Sequence, residues 1–134
     1  MTAPTAGRPD RAVIDALLLA TSDRARRYLA GVDDRPVFPG PAAVAGLDHL
    51  DFPVPDQGLA ADRVVELLDR FGSPATVASA GPRYFGFVTG GALPAALAAA
   101  WMSAAWDQNV AMSVMSPVAA RRDSGVIRWV IELL

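Results

Sequence analysis

GPRYFGFVTGG, residues 81–91, followed by LPAALAAAWMSAAWDQN at 93–109, is the stretch on which the reading of this chain turns. The first part holds three aromatics, a threonine and four glycines in eleven residues, and neither a helical nor a strand period runs through it. Aromatic rings on a Gly-rich loop are costly to leave in water, so the loop is expected to be buried or to line a pocket. The second part is apolar nearly all round. That pattern predicts an interior helix over Leu93 to Trp106. The apolar run from Ala92 to Trp106 is broken by Pro94 and Ser103 and is shorter than the ~20 residues a spanning helix needs.

Working outward, Ser116-Pro117 is an N-cap followed by an N1 proline and predicts a last helix from Val118 onward. Its apolar residues Val126, Ile127, Trp129, Val130, Ile131, Leu133 and Leu134 run to the final residue without a cap, so the ancestral chain is expected to continue past Leu134. On the other side, Ser73-Pro74 gives the same start signal for a short helix to about Ser79. Leu59 to Phe71 reads as a helix with Val64, Val65, Leu67, Leu68 and Phe71 inward, closed by Gly72. Asp51 to Gly58 carries Pro53 and Pro55 and is expected to be extended. Pro41 to Leu47 is read as a short helix, and residues 31–41 as a proline-limited loop. Asp10 caps a helix from Arg11 to Ala30, with Val13, Ile14, Leu17, Leu18, Tyr28 and Leu29 as its apolar stripe and Gly31 as its stop. Residues 1–9 are expected to be frayed. The fold class is mainly α, with about five or six helices and few or no strands.

The 134 residues suffice for one domain with a modest core. Hydrophobic residues make up 52% of them, a high share for a small soluble monomer. From Tyr84 to Leu134 charges are few and lie mostly between Arg121 and Arg128, so this half is expected to pack against a further surface. The net charge of −2 points to neither a nucleic acid nor an anionic membrane. Cysteine is absent, which excludes disulfides, thiolate catalysis and Cys-based zinc sites and fits a cytoplasmic protein. All twelve basic residues are arginine. The chain therefore has no ε-amine for an imine with a carbonyl cofactor.

Few residues offer chemistry on their own. His49 is the only histidine, and it reads as a surface residue beside Asp48 and Asp51 rather than a general base. Asp33-Asp34 favours a turn, because adjacent carboxylates point apart. Thr89-Gly90-Gly91 before a helix can hold an anion, yet it lacks the lysine of a P-loop and reads first as a structural turn. Asp107-Gln108-Asn109 interrupts an apolar context. Unpartnered burial of such groups costs about 1–3 kcal/mol each, so they are partnered, exposed at a helix end, or part of a site.

The run from Ser73 to Leu134 resembles the group II pyridoxal-phosphate-dependent amino-acid decarboxylases, which include the aromatic-amino-acid, histidine and glutamate decarboxylases. The resemblance rests on residues 81–91 and 93–109, on MSPVAAR at 115–121 and on Arg128-Trp129. YLAGVDDRPVFP at 28–39 and LLDRFGSPATVAS at 67–79 are similar to the family's N-terminal helices. Two departures stand out. Gly81 replaces the histidine of a His-Pro-x-Phe motif, and Arg122-Asp123-Ser124-Gly125 interrupts an acidic and apolar helix. Gly125 inside that helix costs about 1 kcal/mol against Ala.

The resemblance implies an N-terminal helical dimerisation arm over residues 1–80. Residues 81–134 would be the substrate-side loop and first helices of a truncated fold-type I large domain that binds pyridoxal phosphate. It implies a substrate-binding role for Phe87, Val88, Thr89 and Asn109, with no catalytic, covalent cofactor-binding or metal-binding residue in this chain. The whole family enzyme uses pyridoxal 5'-phosphate to release the α-carboxylate of an L-amino acid as CO2. This chain alone is expected to be inactive. Its expected partners are a second copy or an intact homologue, through the N-terminal helices, and the amino-acid substrate. The alternative reading is a non-catalytic helical module that pairs with an intact homologue.

Overall fold

A computed structural model describes residues 10–109 and 111–134. The frayed segment expected over residues 1–9 lies outside them. The described residues form helices and turns and no strand, so the chain is mainly α. No described helix is long and apolar enough to cross a membrane. The chain divides between Gly91 and Ala92 into two compact units.

In the first unit, α1 spans Arg11–Gly31. Asp10 caps it as the sequence predicts, its carboxylate accepting from the Ala12 N–H at 3.0 Å. Gly31 does not stop it. The helix takes in Gly31, and Val32 caps it in the right-handed region, its N–H bonded to the Leu29 carbonyl. The chain then tightens into a turn through Asp33 and Asp34, where the Asp34 N–H donates to the Gly31 carbonyl. This is the turn expected of adjacent carboxylates.

Helix α2, Pro41–Ala45, runs on into a 3-10 turn, Gly46–Leu50. Residues 51–55 follow without regular structure, as the prolines require. Helix α3 is shorter than the sequence suggests, Ala61–Leu67. A π-turn, Leu68–Gly72, and a single helical turn α4, Ser73–Ala75, continue it without a break. Gly72 and Ser73 are both right-handed, so Gly72 is no stop and Ser73 no N-cap. Pro74 explains the widening. It lacks the N–H that an α-helix would give to the carbonyl four residues back, and its ring crowds that carbonyl.

α1 packs against α3. Asp69 draws both Arg24 at 3.3 Å and Arg27 at 3.6 Å to the end of this contact. Val65, Leu67 and Phe71 are half-buried as expected, whereas Val64 and Leu68 are exposed. Much of the predicted α1 stripe is also exposed: Val13, Ile14, Leu18 and Leu29. Val32 and Ala78 are the buried apolar residues of the described chain.

In the second unit, α5 spans Pro94–Trp106 and α6 spans Pro117–Leu133. Asp107 ends α5 in the left-handed region, its N–H bonded to the Ser103 carbonyl at 3.2 Å. Ser116 caps α6, its hydroxyl accepting from the Ala119 N–H at 3.3 Å, with Pro117 at the first helical position. α6 runs unbroken through Gly125. The expectation of an interior helix over 93–106 is not met. Leu93, Trp101, Met102 and Trp106 are all exposed, as are Val126, Ile127 and Val130 of α6. Apolar composition states what surface a helix prefers and does not itself supply one.

Candidate functional site

The Gly-aromatic loop belongs to the first unit, and its anchoring begins at Gly81. The Gly81 N–H donates to the Ala78 carbonyl at 3.0 Å. A Cβ at Gly81 would lie 3.2 Å from the Val32 carbonyl and 3.3 Å from that of Ala78. Gly81 therefore packs tightly onto Val32 and Ala78, the buried apolar residues among those described.

The far end is tied as closely. The Gly91 N–H donates to the Ser79 carbonyl at 2.9 Å. Gly90 adopts φ +117° beside it, in a region that L side chains rarely enter. Between the two ties the Thr89 N–H reaches the Gly86 carbonyl, and the Tyr84 and Thr89 hydroxyls lie 3.3 Å apart.

Within this ring of bonds, Phe87 and Val88 hold φ +55° and +54°. Left-handed backbone is costly for a β-branched residue such as Val88, about 1–3 kcal/mol, and is kept only where surrounding bonds fix it. Of the two expectations for the loop, burial or the lining of a pocket, burial is overturned. Phe85, Phe87 and Val88 expose 92%, 88% and 106% of their reference surface.

Two arginines that the sequence reading did not single out hold the loop's base. Arg83 donates through Nη2 to the Asp33 carbonyl at 2.7 Å and to the Arg35 carbonyl. Arg35 donates through Nη1 to the Ser73 carbonyl and through Nη2 to the carbonyls of Pro74 and Thr76, each at 3.1 Å. The Tyr28 ring lies 5.1 Å under the Arg35 guanidinium, and the Tyr28 and Thr76 hydroxyls are 2.9 Å apart. The Ala78 N–H donates to the Val37 carbonyl at 2.9 Å. The one visible signal was an arginine, Arg83, set among aromatics and glycines.

The structure brings Phe87, Val88 and Thr89 together on one turn, and Asn109 belongs to the second unit. Asn109 accepts the Ala111 N–H at 2.8 Å through Oδ1, and Gln108 Nε2 donates to the Trp106 carbonyl at 2.7 Å. The polar cluster is thus exposed at a helix end and partnered locally. His49 pairs with neither neighbouring aspartate; its ring stacks on Phe71 at 4.3 Å between centroids. No cluster among the described residues has the donors to hold a metal ion. No family model matches the chain, and no curated protein matches it.

Proposed function

We propose that this chain is the N-terminal, substrate-side part of a cytoplasmic pyridoxal-phosphate-dependent amino-acid decarboxylase, a carboxy-lyase acting on an L-amino acid. The observation that carries the reading is the loop at 81–91. Its backbone is strained and tied at both ends, and its apolar side chains Phe85, Phe87 and Val88 stand in solvent. A loop held this firmly, with apolar groups outward, is built to meet another surface. In this reading Phe87, Val88 and Thr89 face the amino-acid substrate, Asn109 adds a contact to the partner subunit's pocket across the dimer interface, and the helices before residue 81 pair with a second subunit.

The residues present do not fit as a holder of the cofactor. The chain has no lysine, and the guanidiniums nearest the loop donate to main-chain carbonyls rather than presenting a phosphate cradle. The chain's part is to shape and dry the substrate side of a site whose amine comes from elsewhere. The purified 134-residue chain with pyridoxal phosphate should release no CO2 from an aromatic L-amino acid beyond free cofactor. Robust release would overturn the assignment.

The exposed apolar residues of α5 and α6 favour a second reading, a helical module that pairs with an intact homologue without taking part in catalysis. Size-exclusion of the chain with and without such a homologue tests the module. A chain that stays monomeric and ignores the homologue argues against the module.

A further inference from the structure

We propose that Arg83 and Arg35 are positioning residues arranged in series, Arg35 fixing the base and Arg83 fixing the loop upon it. Three segments remote in sequence meet here: the turn at 32–37, the end of the α3–α4 winding at 73–78, and the loop at 81–91. Arg35 joins the first to the second through carbonyls at 73, 74 and 76. Arg83 joins the third to the first through carbonyls at 33 and 35. Apart from the Thr76 hydroxyl, which also accepts from Arg35 Nη1 at 3.3 Å, every acceptor is a main-chain oxygen, so these bonds fix backbone position, and a charged donor makes them stronger than a neutral one. Arg83 bonds to the carbonyl of Arg35 itself, so its anchor is only as fixed as that residue. A few residues along the same loop from Arg83 are Phe87 and Val88, whose left-handed backbone needs external fixing.

The inference gives the loop of the decarboxylase reading its positioning residues, and their relevance to substrate rests on that reading. The bonding order is tested without it, by amide hydrogen exchange on the full chain and its R83M, R83K and R35M variants. In R83M the Thr89 and Gly91 amides should exchange at least about tenfold faster, with the Ala78 and Ile14 amides unchanged. R83K, which keeps a charged donor, should recover part of the protection. R35M should release Ala78 as well as Thr89 and Gly91. Unchanged exchange at Thr89 and Gly91 in R83M overturns the proposal. So does loss of protection spread equally to α1, or an R35M effect confined to 81–91. A variant series that behaves as expected in a chain with no place in a decarboxylase would sink the functional reading and leave the positioning intact.

Discussion

Gly90 lies against the main chain of Ser79 so closely that a Cβ on it would come within 2.5 Å of the Ser79 carbonyl oxygen and 2.8 Å of the Tyr84 ring. Backbone cannot give way as a flexible side chain can, and φ +117° adds strain to any L side chain. G90A is therefore expected to cost more than about 2 kcal/mol. G91A, at φ +71° with open space around it, should cost about 1–2 kcal/mol. Urea unfolding followed by circular dichroism measures both. Equal effects would mean that the Ser79 contact does not constrain the loop.

Val88 offers the opposite experiment. Its side chain is fully exposed, so replacing it removes no packing, while its left-handed backbone is relieved by glycine. After glycine's own entropy cost, V88G should be about 0.5–1 kcal/mol more stable than wild type. V88A keeps the strain and should show no gain. A V88G chain less stable than V88A would contradict the strained turn.

Ser116 is fully buried and caps α6. S116A should cost about 1 kcal/mol and fray the first turn, seen as faster exchange at Ala119 and lower helicity. S116T keeps the acceptor and should retain most of the protection. Unchanged exchange at Ala119 in S116A would remove the cap from the account.

Asp69 serves two arginines of α1 at once. Each pair is partly exposed, so D69N should cost no more than about 1 kcal/mol. The difference between D69N and wild type should shrink in about 1 M salt, where the Debye length falls to about 3 Å. A difference that salt does not touch would point to packing or hydrogen bonding rather than charge.

The helix starts were legible because they are local. Asp10 before α1 and Ser116-Pro117 before α6 each satisfy backbone groups within three residues, and both were readable from side-chain type and spacing. Helix stops at glycine were less so. Gly31 and Gly72 both remain in the right-handed region, because a following turn at Val32 and a continued winding at Ser73 satisfy the carbonyls without a left-handed cap. Ser73 misled for a related reason. Its signal matches an N-cap, but the preceding helix widens to admit Pro74 and passes straight through it.

Burial was the least legible property. Trp101, Trp106 and Phe87 have the chemistry of interior residues, and a sequence states that preference without stating whether a matching surface exists. The loop at 81–91 was legible as irregular from its composition, but the left-handed backbone at Phe87 and Val88 was not, in a loop tied to Ser79, Asp33 and Arg35. The last two lie about fifty residues away, beyond the reach of local patterning.

The most direct test of the central claim is an exchange of parts. This chain replaces the corresponding N-terminal region of a complete group II decarboxylase, and CO2 release from the parent's amino acid is measured with cofactor loading checked by visible absorbance. The account predicts an active chimera, and F87A in it should lower kcat/KM by about tenfold or more through the substrate-side loop. A folded, cofactor-loaded chimera no more active than the parent lacking its N-terminal region would contradict the account.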